Sequence, residues 1–215
     1  MTRKERYECI LKYFENALPN VSTELEFGSA FQLLVATLLS AQCTDKRVNM
    51  VTPQLFARYP DAKAMAAADV DDVLELIHSV SYPNAKARHL VGMARMLVSD
   101  FGGEVPQDAD KLVMLPGVGR KTANVVQAVW FGMPSMPVDT HVYRVSHRLG
   151  LVPSTATTPR KVEDYLLANI PQQLVSRAHH WLLLHGRYKC KSTSPKCETC
   201  AFDYFCPKLM EGSKL

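Results

Sequence analysis

Leu115-Pro116-Gly117-Val118-Gly119-Arg120-Lys121-Thr122-Ala123 is the stretch on which the reading of this chain turns. Apolar residues at helical spacing precede it from about Asp108 to Met114 and follow it from about Arg120 to Phe131. Two helices therefore meet at a tight turn with glycines at alternate positions. Glycine permits positive φ and lets the backbone come close to a ligand. The N–H groups that open a helix have no intrahelical partner, and the helix dipole is positive there. A phosphate fits such an end. The turn would grip a nucleic-acid backbone without reading its sequence; it serves equally well as a plain helix connection. A nucleotide-binding P-loop is excluded, because no strand precedes the turn and the Gly-Lys-Ser/Thr ending is missing.

Outward from this hairpin the chain reads as helix. Tyr7, Ile10, Leu11, Phe14 and Leu18 mark an amphipathic first helix. Ala30 to Leu39 is apolar nearly all round, which predicts a buried central helix. Further helices are expected around Val70–Ile77 and Ala87–Phe101, the latter ended by Gly102-Gly103, and near Thr140–Leu149, Pro159–Asn169 and Gln172–Leu184. No period-two alternation is sustained, so the fold class is all-α. Gly132, Pro134 and Pro137 mark the best domain boundary. Hydrophobic residues make up 47% of the 215, which indicates a globular protein. No apolar run is long enough for a membrane span. MTRKERYECI is charged at once and does not read as a signal peptide, so a cytoplasmic location is expected. A net charge of +4 is compatible with a nucleic-acid partner without demanding one.

Three groups carry candidate chemistry. Lys121 falls in the first turn of the second hairpin helix, beside Arg120. A neutral amine there is a nucleophile able to form a Schiff base, and an ammonium is a phosphate contact. Asp139, in Val138-Asp139-Thr140-His141, follows the proline-rich break at a helix N-cap position. It either caps only, or also accepts a proton or stabilises a cationic sugar. Cys190, Cys197, Cys200 and Cys206 form a C-x6-C-x2-C-x5-C cluster. In a chain without an export signal this suggests metal before disulfides, and spacing alone leaves zinc and iron–sulfur both open. Cys9 and Cys43 read as core or near-core thiols.

LPGVGRKTANVV and VDTHVYRV resemble the helix–hairpin–helix DNA glycosylases. LLSAQCTDKRVN (Leu38 to Asn49), HHWLLLHGRYKC (His179 to Cys190) and the cysteine cluster extend the likeness to most of the chain. The endonuclease III family is the nearest match. The resemblance implies two helical domains with a DNA-binding cleft between them: 23–134, holding the hairpin, and 1–22 with 135–215, holding the cysteines. It implies a glycosylase and abasic-site lyase acting on duplex DNA with damaged pyrimidines or abasic sites. Lys121 would be the nucleophile and Asp139 its assistant, with a [4Fe–4S] cluster on the four cysteines. Leu115, Pro116, Gly117, Val118, Gly119 and Arg120 of the hairpin and Lys191 of the cysteine loop would contact DNA. Gln42 would fill the gap left by an extruded base, and Ser40, Asp45 and His141 would line the pocket. The plainer alternatives are a hydroxyl bonded back to its own helix for Ser40, an N-cap for Asp45 and packing for His141. A monomer, at the nucleoid through DNA, is expected. One departure stands out. Ser81-Tyr82-Pro83-Asn84-Ala85-Lys86-Ala87 puts Tyr82 where the family has an aliphatic wedge, which bears on opposite-base preference. A mismatch-specific glycosylase and a non-catalytic DNA-binding module are the alternatives.

Overall fold

Short polar residues punctuate the chain and start most of its helices. Thr2, Ser29, Thr44, Asp61, Asp69, Asp108, Asp139 and Thr158 each accept a hydrogen bond from a first-turn backbone N–H. Each side-chain oxygen satisfies a donor that the helix itself cannot. A computed structural model describes residues 1–207. Among them are eleven α-helices and no strand: α1 (Arg3–Ala17), α2 (Ala30–Leu39), α3 (Asp45–Arg58), α4 (Ala62–Ala66), α5 (Val70–Ile77), α6 (Pro83–Phe101), α7 (Ala109–Met114), α8 (Arg120–Val129), α9 (Thr140–Arg148), α10 (Pro159–Asn169) and α11 (Val175–Leu184). The all-α expectation holds. None of the described helices is long and apolar enough to cross a membrane.

The chain divides into two units. One runs from Thr23 to Gly132; the other joins Met1–Ser22 to the residues from Met133 onward. The last eight residues of the expected second domain, 208–215, lie outside the described residues.

In the first unit α2 is the buried axis, with Phe31 and Leu33 through Leu39 all inside. Its sequence has no polar face, so it must be surrounded. α6 packs against α4, α5 and α2, and α8 packs against α2 and α7. α3 and α4 are not legible in the sequence pattern. Pro53 lies inside α3 and reads as a breaker. Burial of Val48, Val51 and Leu55 in the core outweighs the hydrogen bond that proline cannot make. α6 also begins four residues earlier than its apolar spacing shows, because Pro83 occupies the first turn, where a missing N–H costs nothing.

In the second unit the core is aromatic. Phe14 of α1 stacks on Trp181 of α11, with centroids 5.8 Å apart and planes 12° from parallel. Phe202 meets Phe14 edge-on at 5.4 Å. The Trp181 indole donates to the Leu18 carbonyl at 2.9 Å, so its one polar atom is satisfied inside. Residues 172–174 form a 3₁₀ turn before α11 instead of its first turn. After α11 the chain widens into a π-turn over His185–Lys189 that delivers Cys190. Gly186 lies in that turn. A Cβ there would stand 2.8 Å from the His141 Cβ, so α9 packs directly on backbone.

Removing the Phe14 ring should leave a cavity between Trp181 and Phe202. Phe14→Ala is expected to cost about 3–5 kcal/mol, read from the midpoint of denaturant unfolding.

Candidate active site and metal centre

The hairpin begins where α7 ends. The Leu115 N–H bonds the Leu112 carbonyl, and the Val118 N–H bonds the Leu115 carbonyl at 3.0 Å. Gly117 between them has φ +77°, and an added Cβ would come within 2.8 Å of the His89 Cβ. Glycine is thus required twice over, by conformation and by space. The Pro116 ring lies 3.5 Å from where Gly92 of α6 would carry a Cβ. Of the hairpin residues expected to face DNA, Leu115 and Val118 turn inward. Their side chains are buried and their N–H groups are used within the turn. Gly117, Gly119 and Arg120 are exposed, and Pro116 is half-buried. Gly119 is the N-cap of α8 and offers no side chain, so no side-chain cap covers the first-turn amides. Lys121 stands exposed in that first turn.

Asp139 caps α9. Its carboxylate accepts from the His141 N–H at 2.9 Å and the Val142 N–H at 2.8 Å. The capping half of its expected role is met, and the residue is only partly buried. His141 lies 3.2 Å from the Arg144 guanidinium.

The four clustered cysteines line one hollow, together with Leu149, His185, Lys189, Pro195, Lys196 and Asp203. None of the six cysteines forms a disulfide. Among the described residues, no three His, Cys, Asp or Glu side chains gather in a group able to hold a single metal ion. Burial pushes the Cys200 thiol up from its ordinary value, partly offset by a hydrogen bond from the Phe202 backbone. Burial also pushes His185 down to about 4, with Lys189 adding to the effect. Two arginines of α9 hold the loop. Arg144 donates to the Gly186 carbonyl at 2.8 Å and the Cys190 carbonyl at 3.1 Å. Arg148 donates to the carbonyls of Lys191 at 2.6 Å and Ser192 at 3.1 Å, and approaches Cys190 Sγ at 3.6 Å. These arginines escaped the sequence reading, although their spacing of four on one helix face was visible. Lys191 itself is exposed on the loop they hold.

Ser40 bonds back to the Thr37 carbonyl at 2.8 Å, the plainer of its two readings. Asp45 is not an N-cap: Thr44 caps α3 through the Arg47 N–H, and Asp45 is the first helical residue. Gln42 and Tyr82 are exposed and share an unusual backbone, with φ +54° and +55°. Lys86, unassigned in the sequence, is buried with its amine 2.7 Å from the carbonyls of both Leu39 and Ala41. Burial lowers its pKa from the ordinary lysine value, and Cys43 opposes the shift.

Residues 35–172 match the family model for the HhH-GPD superfamily base excision DNA repair protein. Endonuclease III of Synechocystis sp. is 45% identical over 207 residues, covering 96% of this chain and 94% of its own. Endonuclease III of Escherichia coli (strain K12) is 41% identical, covering 96% of both chains. Among solved structures, a trapped endonuclease III–DNA covalent intermediate, an estranged-adenine complex, superposes with a TM-score of 0.93 at 39% identity, with all of both chains covered.

The two hairpin glycines should behave differently. Gly117→Ala is expected to destabilise by about 1–3 kcal/mol, because the new methyl meets His89. Gly119→Ala meets nothing within 4 Å and should stay within about 0.5 kcal/mol. Paired thermal melts distinguish them.

Proposed function

Because this chain belongs to the HhH-GPD superfamily of base excision DNA repair proteins, within its endonuclease III family, we propose that it excises oxidised pyrimidines from duplex DNA and then cuts the abasic strand. The observation that carries this reading is Lys121, exposed in the first turn of a helix whose N-terminus bears no side-chain cap. Backbone amides there suit a phosphate, and the amine stands beside them. A damaged base stacks and pairs poorly, so rotating it out of the helix costs less than for an intact base.

The chemistry then follows from two side chains. The Lys121 amine attacks the sugar C1′ and the bond to the base breaks, the base leaving with the electron pair. Asp139 takes the proton that the amine loses, or stabilises the positive charge on the sugar. The sugar ring opens to a Schiff base on Lys121. That iminium acidifies C2′; loss of the C2′ proton expels the 3′ phosphate and cuts the strand. The trapped covalent complex of the related endonuclease III supports a covalent route. Tyr82, an exposed aromatic, would stack on the base left unpaired and so set opposite-base preference.

Cys190, Cys197, Cys200 and Cys206 fit a [4Fe–4S] cluster: they line one hollow, and four thiolates are the donor set that such a cluster takes. When bound, the cluster supplies a structural cross-link that fixes the loop of Lys191. The loop's exposed lysines then contact DNA phosphate. The protein acts as a monomer, and its affinity for DNA keeps it at the nucleoid.

Borohydride trapping on duplexes bearing thymine glycol or an abasic site tests the reading, with mismatched duplexes alongside. The parent should form a covalent adduct and Lys121→Gln none. Asp139→Asn keeps a capping oxygen, so its stability should change by less than about 0.5 kcal/mol while excision falls roughly 10²–10⁴-fold. A folded parent that yields no adduct on any substrate defeats the lyase assignment. The cluster has its own test: the purified protein should be yellow-brown and yield iron and sulfide on acid release, whereas a colourless, zinc-containing protein would exclude it.

A further inference from the structure

The C-terminal end of α2 and the N-terminal end of α6 are tied by two side chains. Lys86 enters from α6, is 5% exposed, and donates to the carbonyls of Leu39 and Ala41, both at 2.7 Å. Those carbonyls lie at a helix end that leaves acceptors unmatched and carries the negative end of the dipole. Ser81 donates from its hydroxyl to the Gln42 carbonyl at 2.7 Å. The carbonyls of residues 39, 41 and 42 are thus all held by the 81–86 segment.

The two residues at the tips of these loops both lie in left-handed backbone, Gln42 at φ +54° and Tyr82 at φ +55°, a conformation that Ser194 alone shares among the described non-glycine residues. Glycine takes that conformation freely, while residues with a Cβ resist it. A turn needed only for its shape is better served by glycine. Both side chains point to solvent, and neither loop gains core packing from them. Tyr82 also forgoes a side-chain cap for α6. Strain of this kind persists only where neighbouring bonds over-determine the conformation.

We propose that Lys86 and Ser81 clamp the two loops into one rigid probe, holding Gln42 and Tyr82 ready to enter the duplex together when a base is extruded. The clamp rests on the DNA-repair reading given above. Lys86 is a positioning residue and touches no substrate. It acts by fixing where two side chains arrive, and small misplacements of that kind are costly to rate.

The full-length protein with its cofactor serves for the test, as parent, Lys86→Met, Lys86→Arg and Ser81→Ala. Three readouts are taken. Borohydride trapping on a single-stranded abasic oligonucleotide needs no probe, since no partner base is displaced. Single-turnover excision of thymine glycol from a duplex does need it. Fluorescence of 2-aminopurine opposite the lesion reports unstacking without any bond cleavage. Lys86→Met should keep single-stranded trapping, lose most of the aminopurine signal, and excise from duplex roughly ten- to a hundredfold more slowly. Lys86→Arg should recover part of that loss, because a guanidinium still donates to both carbonyls. Ser81→Ala should fall in the same direction by less. Should Lys86→Met fail to fold, Ser81→Ala decides, since it removes one hydroxyl at a half-buried position outside the core. Equal loss on single-stranded and duplex substrates, or parental duplex excision in both Lys86→Met and Ser81→Ala, would overturn the clamp. Failure of the underlying reading looks different: the parent itself forms no adduct. The aminopurine signal then still compares parent with variant.

Discussion

One glycine with no room for a side chain organises the unit from Thr23 to Gly132. Gly117 turns the hairpin at φ +77° with the His89 side chain against its α-carbon. His89 and Gly92 both belong to α6, and Gly92 receives the ring of Pro116. The same helix starts at Tyr82 and carries Lys86, which reaches the end of α2. α6 is therefore a common spine. Along its length it seats the hairpin, and at its N-terminus it holds the two strained loops. Close backbone approach at Gly117 and buried hydrogen bonds at Lys86 leave little freedom between them.

Side-chain caps open most of the helices, and α6, α8 and α11 start without one. Eight helices begin at a Ser, Thr or Asp whose oxygen binds a first-turn amide, and removing such a cap costs about 0.5–2 kcal/mol. α8 begins at Gly119 without one, and α6 begins at Tyr82 without one. In the first case, amides and a lysine share one exposed turn. In the second, an aromatic side chain is exposed where a cap would normally sit. Both helices forgo the stability that a side-chain cap supplies. Asp139 is the reverse case, a group given a chemical role that also caps, its two hydrogen bonds fixing the carboxylate.

The cysteine unit follows a similar logic with charge in place of space. The loop between Cys190 and Cys197 carries no large apolar side chain to order it. The chain compensates with two arginines from α9 on the carbonyls of residues 186, 190, 191 and 192. α9 is itself pressed against Gly186 at His141. One helix thus begins with the capping Asp139 and continues with the arginines that hold the cysteine loop.

The local pattern of the sequence determined the helical class, the boundaries of α2 and α10, the hairpin, and the cap at Asp139. These depend on spacing, on N-cap chemistry and on glycine, all of which act within a few residues. α3 was hidden because Pro53 argues against a helix locally, and only burial against distant residues reverses it. Thr44 displaced Asp45 as cap by one position, a choice settled by the geometry of a single turn. Tertiary structure alone decided that Leu115 and Val118 face inward, that Gly117 abuts His89, and that Lys86 spans 47 positions to meet Leu39. No local rule contains such pairings. A buried amine finds its acceptors only when two helix ends, far apart in the chain, have been brought together by the packing of the core.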